Sequence, residues 1–516
     1  MNNETLRAVA QSIVFIPEHY KLVMEDSIPS GAEKRRCFIW ENPHNDDERI
    51  EIMLDIRTGE LHSLDIDETE EAVCADNVSF RLSLDEAKAA AERFLIRHSL
   101  IRAGLSLTQI EEGRKHAYFI YRQQVGGIPL PYSGCELRVN EKLAVTRYRS
   151  GKDDSDVPVP EWPGEIQHAG LVISEALERT SMKLMLAELS PALHEISESG
   201  DGLERLRLVY SPEPELHMID AVTGNNLFGL EHYRMPASHP IASSAKLHEG
   251  AMLPDPSSDA MDIVRFYEER LGISNEHYIR EQHGQDRQEI KFFYYDKNLS
   301  GEVPLERDER SMDGYMERKW GDKLRRLDAA YMLQLERETF RIIGFMRKGI
   351  PAADGEKRAA ILTREQCWDK AQQFLSIVFP AYSDFLQLEE REQGSEPDER
   401  EFFHLPLFAG GIPVDHERAT VSVCKSSGQI LLYMGISFEL IDQLIGREYS
   451  PAIPSAEAKS LYAAHMAAKL RWFQATEDGP PSYRLIYDVK AGEGRRLIYV
   501  DACTGELIWE RALRKR

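Results

Sequence analysis

Glu231, His232, His239 and His248 place one carboxylate and three imidazoles within residues 231–248, and that donor mixture suits zinc. A zinc site needs its donors at a workable spacing. These fall irregularly in a stretch without periodicity, so they read as solvated histidines. His277 and His283 flank "YIREQ", and His19 matches His277 only by its place in a repeat, so these imidazoles read as structural.

Cys135 and Cys424 follow two "GGIP" phrases at unequal distances, six residues after Pro129 and eleven after Pro413, which argues against a shared thiol nucleophile. No HExxH helix, GxSxG elbow, phosphate-binding P-loop or GxGxxG after a strand occurs in the chain. Carboxylates are too abundant for any two to be singled out as an acid and base pair. The aromatic runs "YFIY" (118–121) and "FFYY" (292–295) lack interleaved basic residues and read as core or sheet-face side chains rather than a stacking platform. The expectation is therefore no catalytic residue, no cofactor and no metal site.

The 516 residues carry 87 Asp and Glu against 63 Lys and Arg, a net charge of −24 that repels phosphate backbones and anionic membrane surfaces. The short basic runs "EKRR" (33–36) and "RALRKR" (511–516) read as solvated ends. Nucleic acid is not expected as a partner. Six cysteines without a CxxC pair indicate neither a zinc knuckle nor a disulfide framework. With no basic leader before the first apolar stretch and no run of the roughly 18 apolar residues that a span needs, a cytoplasmic chain without membrane insertion is expected.

The elements that would position these residues are written twice. Asp220 in "LHMIDAVTG" falls on Asp501 in "IYVDACTG", 281 residues on, and "MLDIRTG" (53–59) on "QLERETF" (334–340) at the same offset. "VGGIPLP" (125–131) matches "AGGIPVD" (409–415) at 284, "LSLDEAKAAAERFL" (82–95) matches "LTREQCWDKAQQFL" (362–375) at 280, and "LRLVYSP" (206–212) matches "YRLIYDV" (483–489) at 277. Short phrases recur by chance, but conserved order and near-constant spacing point to an internal duplication. "IPEHY" (16–20) meets "SNEHY" (274–278) at only 258, which places an insertion in the second copy within residues 298–323.

Within a copy, Leu84, Ala87, Ala91, Phe94 and Leu95 share one face of a helix that Ser83 and Glu86 begin as a capping box, an arrangement repeated by Thr363 and Gln366. Strands follow in "HAYFIYRQ" (116–123) and "CELRV" (135–139). A second such unit puts a helix over 173–189 and strands over 205–211 and 215–220, and a third ends in "EIMLDIRTG" and "LHSLDID". In a turn spelled DxxTG, the Asp carboxylate accepts amides two residues on and Gly supplies a positive φ, so Asp55–Gly59, Asp220–Gly224 and Asp501–Gly505 read as one hairpin device, with "KSSG" (425–428) a degenerate fourth. The paired glycines of GGIP read as a bend leading into an extended Ile-Pro.

The phrases "YFIYRQQVGGIPLP", "FFHLPLFAGGIPVD", "RLVYSPEPELHMIDAVTG" and "RLIYDVKAGEGRRLIYVDACTG" resemble the YcdB/YcdC-type repeats of spore-forming bacteria, distant relatives of the PepSY modules of metalloprotease propeptides. The resemblance implies small α+β modules of a helix against an antiparallel sheet, some of which bind or restrain peptidases. It supplies no catalytic residue, and many such relatives are exported, whereas no leader is expected here.

The expected fold is α+β, a tandem duplication of two lobes, each of about three helix-plus-antiparallel-sheet, PepSY-like units. The first lobe spans 1–236 (units about 1–72, 78–150 and 165–236), a linker spans 237–257, and the second lobe spans 258–516 (units about 258–350, 358–436 and 453–512). Repetition without a catalytic signature favours a non-enzymatic protein that binds a peptide or protein partner through sheet edges, with a peptidase-modulating role within that reading. The alternatives are a hydrolase with an inter-lobe active site and a structural component of a spore or envelope assembly.

Overall fold

Ala117, Phe119 and Tyr121 of His116–Val125 are buried while the residues between them are half-exposed, as a strand with one covered face requires. In a computed structural model the described residues are 1–28, 34–67, 83–98, 104–113, 115–151, 157–195, 206–214, 217–227, 236–242, 259–283, 288–297, 310–325, 329–348, 361–390, 399–475, 481–492 and 496–511. The fold is mixed α+β and mostly antiparallel sheet.

Across the amino-terminal sheet run Lys21–Ile28, Arg35–Asn42, Asn45–Asp55, Leu61–Asp67, Val145–Ser150, Cys135–Asn140, His116–Val125 and Leu105–Glu112. These are two four-strand meanders that meet through their last strands. A buried row, Phe38, Ile52, Leu64, Tyr148, Leu137 and Phe119, crosses both meanders, each residue directly opposite the next. Helices Asn3–Ile13 and Leu84–Arg97 bury Leu6, Ala10, Ala87, Ala91 and Leu95 against that row. The Ser83 hydroxyl accepts from the Glu86 amide at 3.4 Å, the first half of the expected capping box.

The larger sheet repeats this path. Tyr278–His283, Glu289–Asp296, Tyr331–Glu336 and Ile342–Arg347 meet Ile430–Met434, which continues into Ile412–Cys424 with Arg400–Ala409 on its flank. Its buried row is Phe292, Leu333, Phe345, Tyr433, Val421 and Phe403, again residue opposite residue. Leu64 opposite Tyr148 and Phe345 opposite Tyr433 are the same junction, 281 residues on for the first member and 285 for the second, close to the offsets seen in the sequence. Helix Arg364–Val378 lies over this row, and its start forms both halves of the capping box, Thr363 Oγ1 accepting from Gln366 N at 3.3 Å and Gln366 Oε1 from Thr363 N at 2.9 Å.

Beyond these meanders the strands cross between the halves. Ser181–Glu188 pairs with Leu206–Glu213, and Met466–Ala475 with Ser482–Ala491. Leu206–Glu213 then pairs with Leu497–Asp501, whereas Ser482–Ala491 pairs with His217–Asp220. The helices follow suit: Val172 and Ala176 of Ala169–Arg179 pack on Trp472, Leu485, Tyr487 and Val489, while Ser455–Ala463 packs on Ser181–Glu188 and Leu206–Glu213. The two hairpins have changed places, and the same bonds hold each, Tyr487 OH donating to Gln167 O at 2.8 Å and Tyr210 OH to Ile453 O at 3.0 Å.

One stretch differs from the sequence expectation. Residues 173–189 are not one helix; the helix is Ala169–Arg179, and Ser181–Glu188 is a strand. Thr180 leaves the helix in extended backbone, its hydroxyl bonded to Ala176 O at 2.9 Å. The strand is central, with Met182 and Leu186 buried on one side and Met185 and Ala187 on the other, so its apolar run lacks the alternation that would separate strand from helix. The expected insertion holds helix Met312–Arg325, which reaches back to the amino-terminal sheet: Tyr315 is buried among Met24, Cys37 and Ile39 and bonds Glu41 at 2.8 Å, and Met312 N donates to Asp26 at 2.9 Å.

Candidate peptide-binding edge

Pro236 begins the segment Pro236–Ala242 and Pro240 lies within it, and the two prolines keep the chain extended and withhold amides from any further strand. The segment runs antiparallel to Gln387–Glu389, with Ser238 opposite Glu389, His239 opposite Leu388 and Pro240 opposite Gln387. Glu390 N donates to Ala237 O at 2.7 Å, and Ser238 Oγ bonds Gln387 Oε1 at 2.9 Å. Only Ile241 is buried, at 7% exposure, and it anchors the segment in the main core.

Gln387–Glu389 can receive this strand because of how it begins. The one-turn helix Tyr382–Phe385 ends with Leu386 N bonded to Tyr382 O, and Leu386 touches the larger sheet by a single bridge to Leu407. In the amino-terminal sheet the corresponding strand, Leu105–Glu112, pairs along its whole length with Ala117–Gln123. Beside Pro236–Ala242 an open groove of about 470 Å³ is lined by His239, Pro240, Ile241, Ala242, Trp368, Gln372 and Leu388. Trp368 is half-buried with its ring 5.0 Å from that of Phe403. The first-copy counterparts of Trp368 and Gln372 are Lys88 and Glu92, a solvent-facing ion pair at 3.9 Å. An exposed charged face in one copy has become an apolar wall in the other.

The groove offers backbone donors and acceptors, an amide side chain and an aromatic face. Of the histidines weighed for metal, His239 lies in this strand and is exposed, whereas Glu231, His232 and His248 fall outside the described residues. Among the described residues, no group of three or more His, Cys, Asp or Glu side chains is placed to hold a metal ion. The His19 ring stands edge-on to Tyr20 at 5.0 Å and His277 edge-on to Tyr278 at 6.5 Å, while His283 ends strand Tyr278–His283. Cys135 is buried, and in the aromatic runs Phe119, Tyr121, Phe292, Tyr294 and Tyr295 are buried sheet residues.

The repeated Asp residues close hairpins. Asp220 Oδ1 accepts from Val222 N at 2.9 Å and Thr223 N at 2.8 Å, Asp501 Oδ1 from Cys503 N and Thr504 N at the same two distances, and Asp55 Oδ1 from Arg57 N and Thr58 N likewise. Gly59, Gly224 and Gly505 take φ of 72°, 73° and 77°, the left-handed conformation that a side chain resists. Cys424 fills the Asp position of the fourth turn, with Gly428 at φ 68°. The turn at 336–340 uses Glu336 and a left-handed Phe340 instead; Glu336 Oε2 accepts from Thr339 Oγ1 within the turn at 2.6 Å, while Oε1 caps helix Phe438–Leu444 through Phe438 N at 3.0 Å. The GGIP pairs are likewise left-handed turns, Gly126 and Gly127 at 63° and 79° and Gly410 and Gly411 at 58° and 81°.

Sequence reasoning missed the groove because residues 237–242 look like the start of a linker. The readable signal was the change from Lys88 to Trp368 at a helix position that faces away from the core in the first copy.

The profile of the YcdB, YcdC repeated domain matches residues 3–152 and 319–437, together more than half of the chain. This chain belongs to that family. The first YcdB/YcdC match spans the two amino-terminal meanders and their helices, and the second spans the junction of the larger sheet. Among its relatives is the uncharacterized protein YcdC of Bacillus subtilis (strain 168), 22% identical over 479 residues, 92% of each chain. A comparison with solved structures finds the Bacillus megaterium YpeB C-terminal domain, at 14% identity and TM-score 0.27, covering 44% of this chain and 95% of that one. Among the described residues of this YcdB/YcdC member, no helix is long and apolar enough to cross a membrane.

Proposed function

We propose that the protein is a non-enzymatic binder of peptides or of extended segments of partner proteins, which it takes by strand addition at Gln387–Glu389. The observation that carries this reading is the seat of Ser238–Pro240 on that strand, beside a groove walled by Trp368. Antiparallel pairing supplies affinity without regard to sequence, and the flanking pockets supply choice.

The same reading takes the chain as two lobes, 1–236 and 258–516, each of three PepSY-like helix-plus-sheet units. The matching buried rows support it. A cytoplasmic setting and a peptidase as the partner belong to the proposal too; the free thiols of the described cysteines suit a reducing compartment. Selection of random heptapeptides on the immobilised full chain tests the function. Enrichment of sequences whose binding is lost in Trp368→Lys is expected, and selection that enriches nothing above a bare surface contradicts it.

A further inference from the structure

The segment seated on Gln387–Glu389 belongs to the chain itself, and its holding is slight. A ladder of three residue pairs, a further backbone bond from Glu390 N to Ala237 O and one hydroxyl bond to Gln387 fix its course, and within the segment Ile241 alone is buried. Ala237, His239, Pro240 and Ala242 are exposed. A tethered segment needs few contacts to stay in place, because the tether keeps its effective concentration high. The groove is also wider than its occupant. Space of about 470 Å³ stays open between the segment and Trp368, room for a large side chain that this segment does not carry.

The duplication supplies an independent argument. Where the second copy has Trp368 and Gln372 the first has Lys88 and Glu92, and the first-copy strand Leu105–Glu112 pairs fully with its own sheet. The groove is therefore not a by-product of the repeated fold. It arises where one copy exchanged an ion pair for an aromatic wall.

Resting on the strand-addition reading, we propose that Ala237–Ile241 is a built-in competitor that holds the edge closed, and that it displays the chemistry of the external ligand. That ligand is an extended peptide with a hydroxyl side chain opposite Glu389 and in reach of Gln387, a proline opposite Gln387 and an aliphatic anchor next to that proline. A larger apolar side chain facing Trp368 gives it the advantage over the tethered segment. Binding then requires displacement of residues 237–241.

Fluorescence anisotropy with a labelled peptide of residues 236–242 tests this on the full-length wild type, on Ile241→Asp, and on a chain whose residues 237–241 are replaced by glycine and serine. Thermal melts confirm that each variant is folded, and the replacement chain covers the case in which Ile241→Asp is not. Freed of their own segment, the variants are expected to bind at least about tenfold more tightly than wild type, as removal of a tethered competitor predicts, and Glu390→Pro in the same background, which removes the amide that donates to Ala237 O, is expected to abolish binding. Equal binding by wild type and variants, still lost with Glu390→Pro, overturns the built-in competitor while leaving strand addition in place. No binding by any folded chain overturns both.

Discussion

Asp220 stands directly opposite Ile486 in an antiparallel ladder, and Ala221 N next to it donates to Leu485 O at 2.8 Å. Asp501 stands in the same way opposite Val209, with Ala502 N donating to Leu208 O at 2.9 Å. Each half thus completes its last sheet with a hairpin from the other.

This exchange makes the halves interdependent. Separate chains of residues 1–236 and 258–516 are expected to copurify when coexpressed, since the last helix and last strands of each pack on the hairpin of the other. Two monomeric halves with sharp independent transitions would contradict the reciprocal pairing.

The Asp turns predict stability effects without a binding phenotype. Asp501→Ala removes the acceptor of two amides and the partner of Arg207 at 3.6 Å, a loss of about 2 kcal/mol by chemical denaturation with peptide binding unchanged. In the fourth turn burial pushes the Cys424 thiol up, but hydrogen bonds from Ser426 and Ser427 outweigh it and hold the thiol below its ordinary range, whereas burial and then Asp501 push Cys503 up. Alkylation followed site by site with pH is expected to start at lower pH for Cys424 than for Cys503; the reverse order would show that the turn does not stabilise the thiolate.

Glu401 gives stability a pH dependence. Burial alone would raise its pKa, but bonds from Lys425, at 3.1 Å, and Arg364 outweigh burial and lower it. A carboxylate with a depressed folded pKa contributes stability above its unfolded value of about 4.3 and loses that contribution as pH falls through the folded value. Glu401→Gln is expected to cost about 3 kcal/mol at neutral pH, because two cations lose their shared partner, and the gap from wild type is expected to shrink below pH 4 or so. A gap that stays constant with pH would rule this pairing out as its source.

The two GGIP turns separate backbone strain from crowding. A Cβ on Gly410 would meet nothing within 4 Å, whereas one on Gly126 would lie 2.0 Å from the ring of Trp162, and both glycines have positive φ. Gly410→Ala is expected to cost about 1 kcal/mol and Gly126→Ala about 3 kcal/mol in the same denaturation assay. Equal losses would mean that Trp162 yields freely.

Much of this architecture was legible in the sequence. The offset between Asp220 and Asp501 reappears in space as the shared junction of Leu64 with Tyr148 and Phe345 with Tyr433. Ser83 and Thr363 marked their helix starts because a cap is a local signal. Ser181–Glu188 was misread because a strand buried on both faces has no alternation to show. The hairpin exchange leaves no trace in the chain, since either partner satisfies the same backbone groups. The groove was hidden because strand addition uses main-chain bonds, which carry no residue signature, and only Trp368 marks the place.

Hydrogen exchange at Leu386–Glu390 tests the peptide-binding edge most directly. In the chain with residues 237–241 replaced by glycine and serine, the Glu390 amide, which donates to Ala237 O in wild type, should exchange quickly and recover its protection when the peptide of residues 236–242 is added. Fast exchange that the peptide leaves unchanged, in a folded chain, would contradict strand addition at this edge.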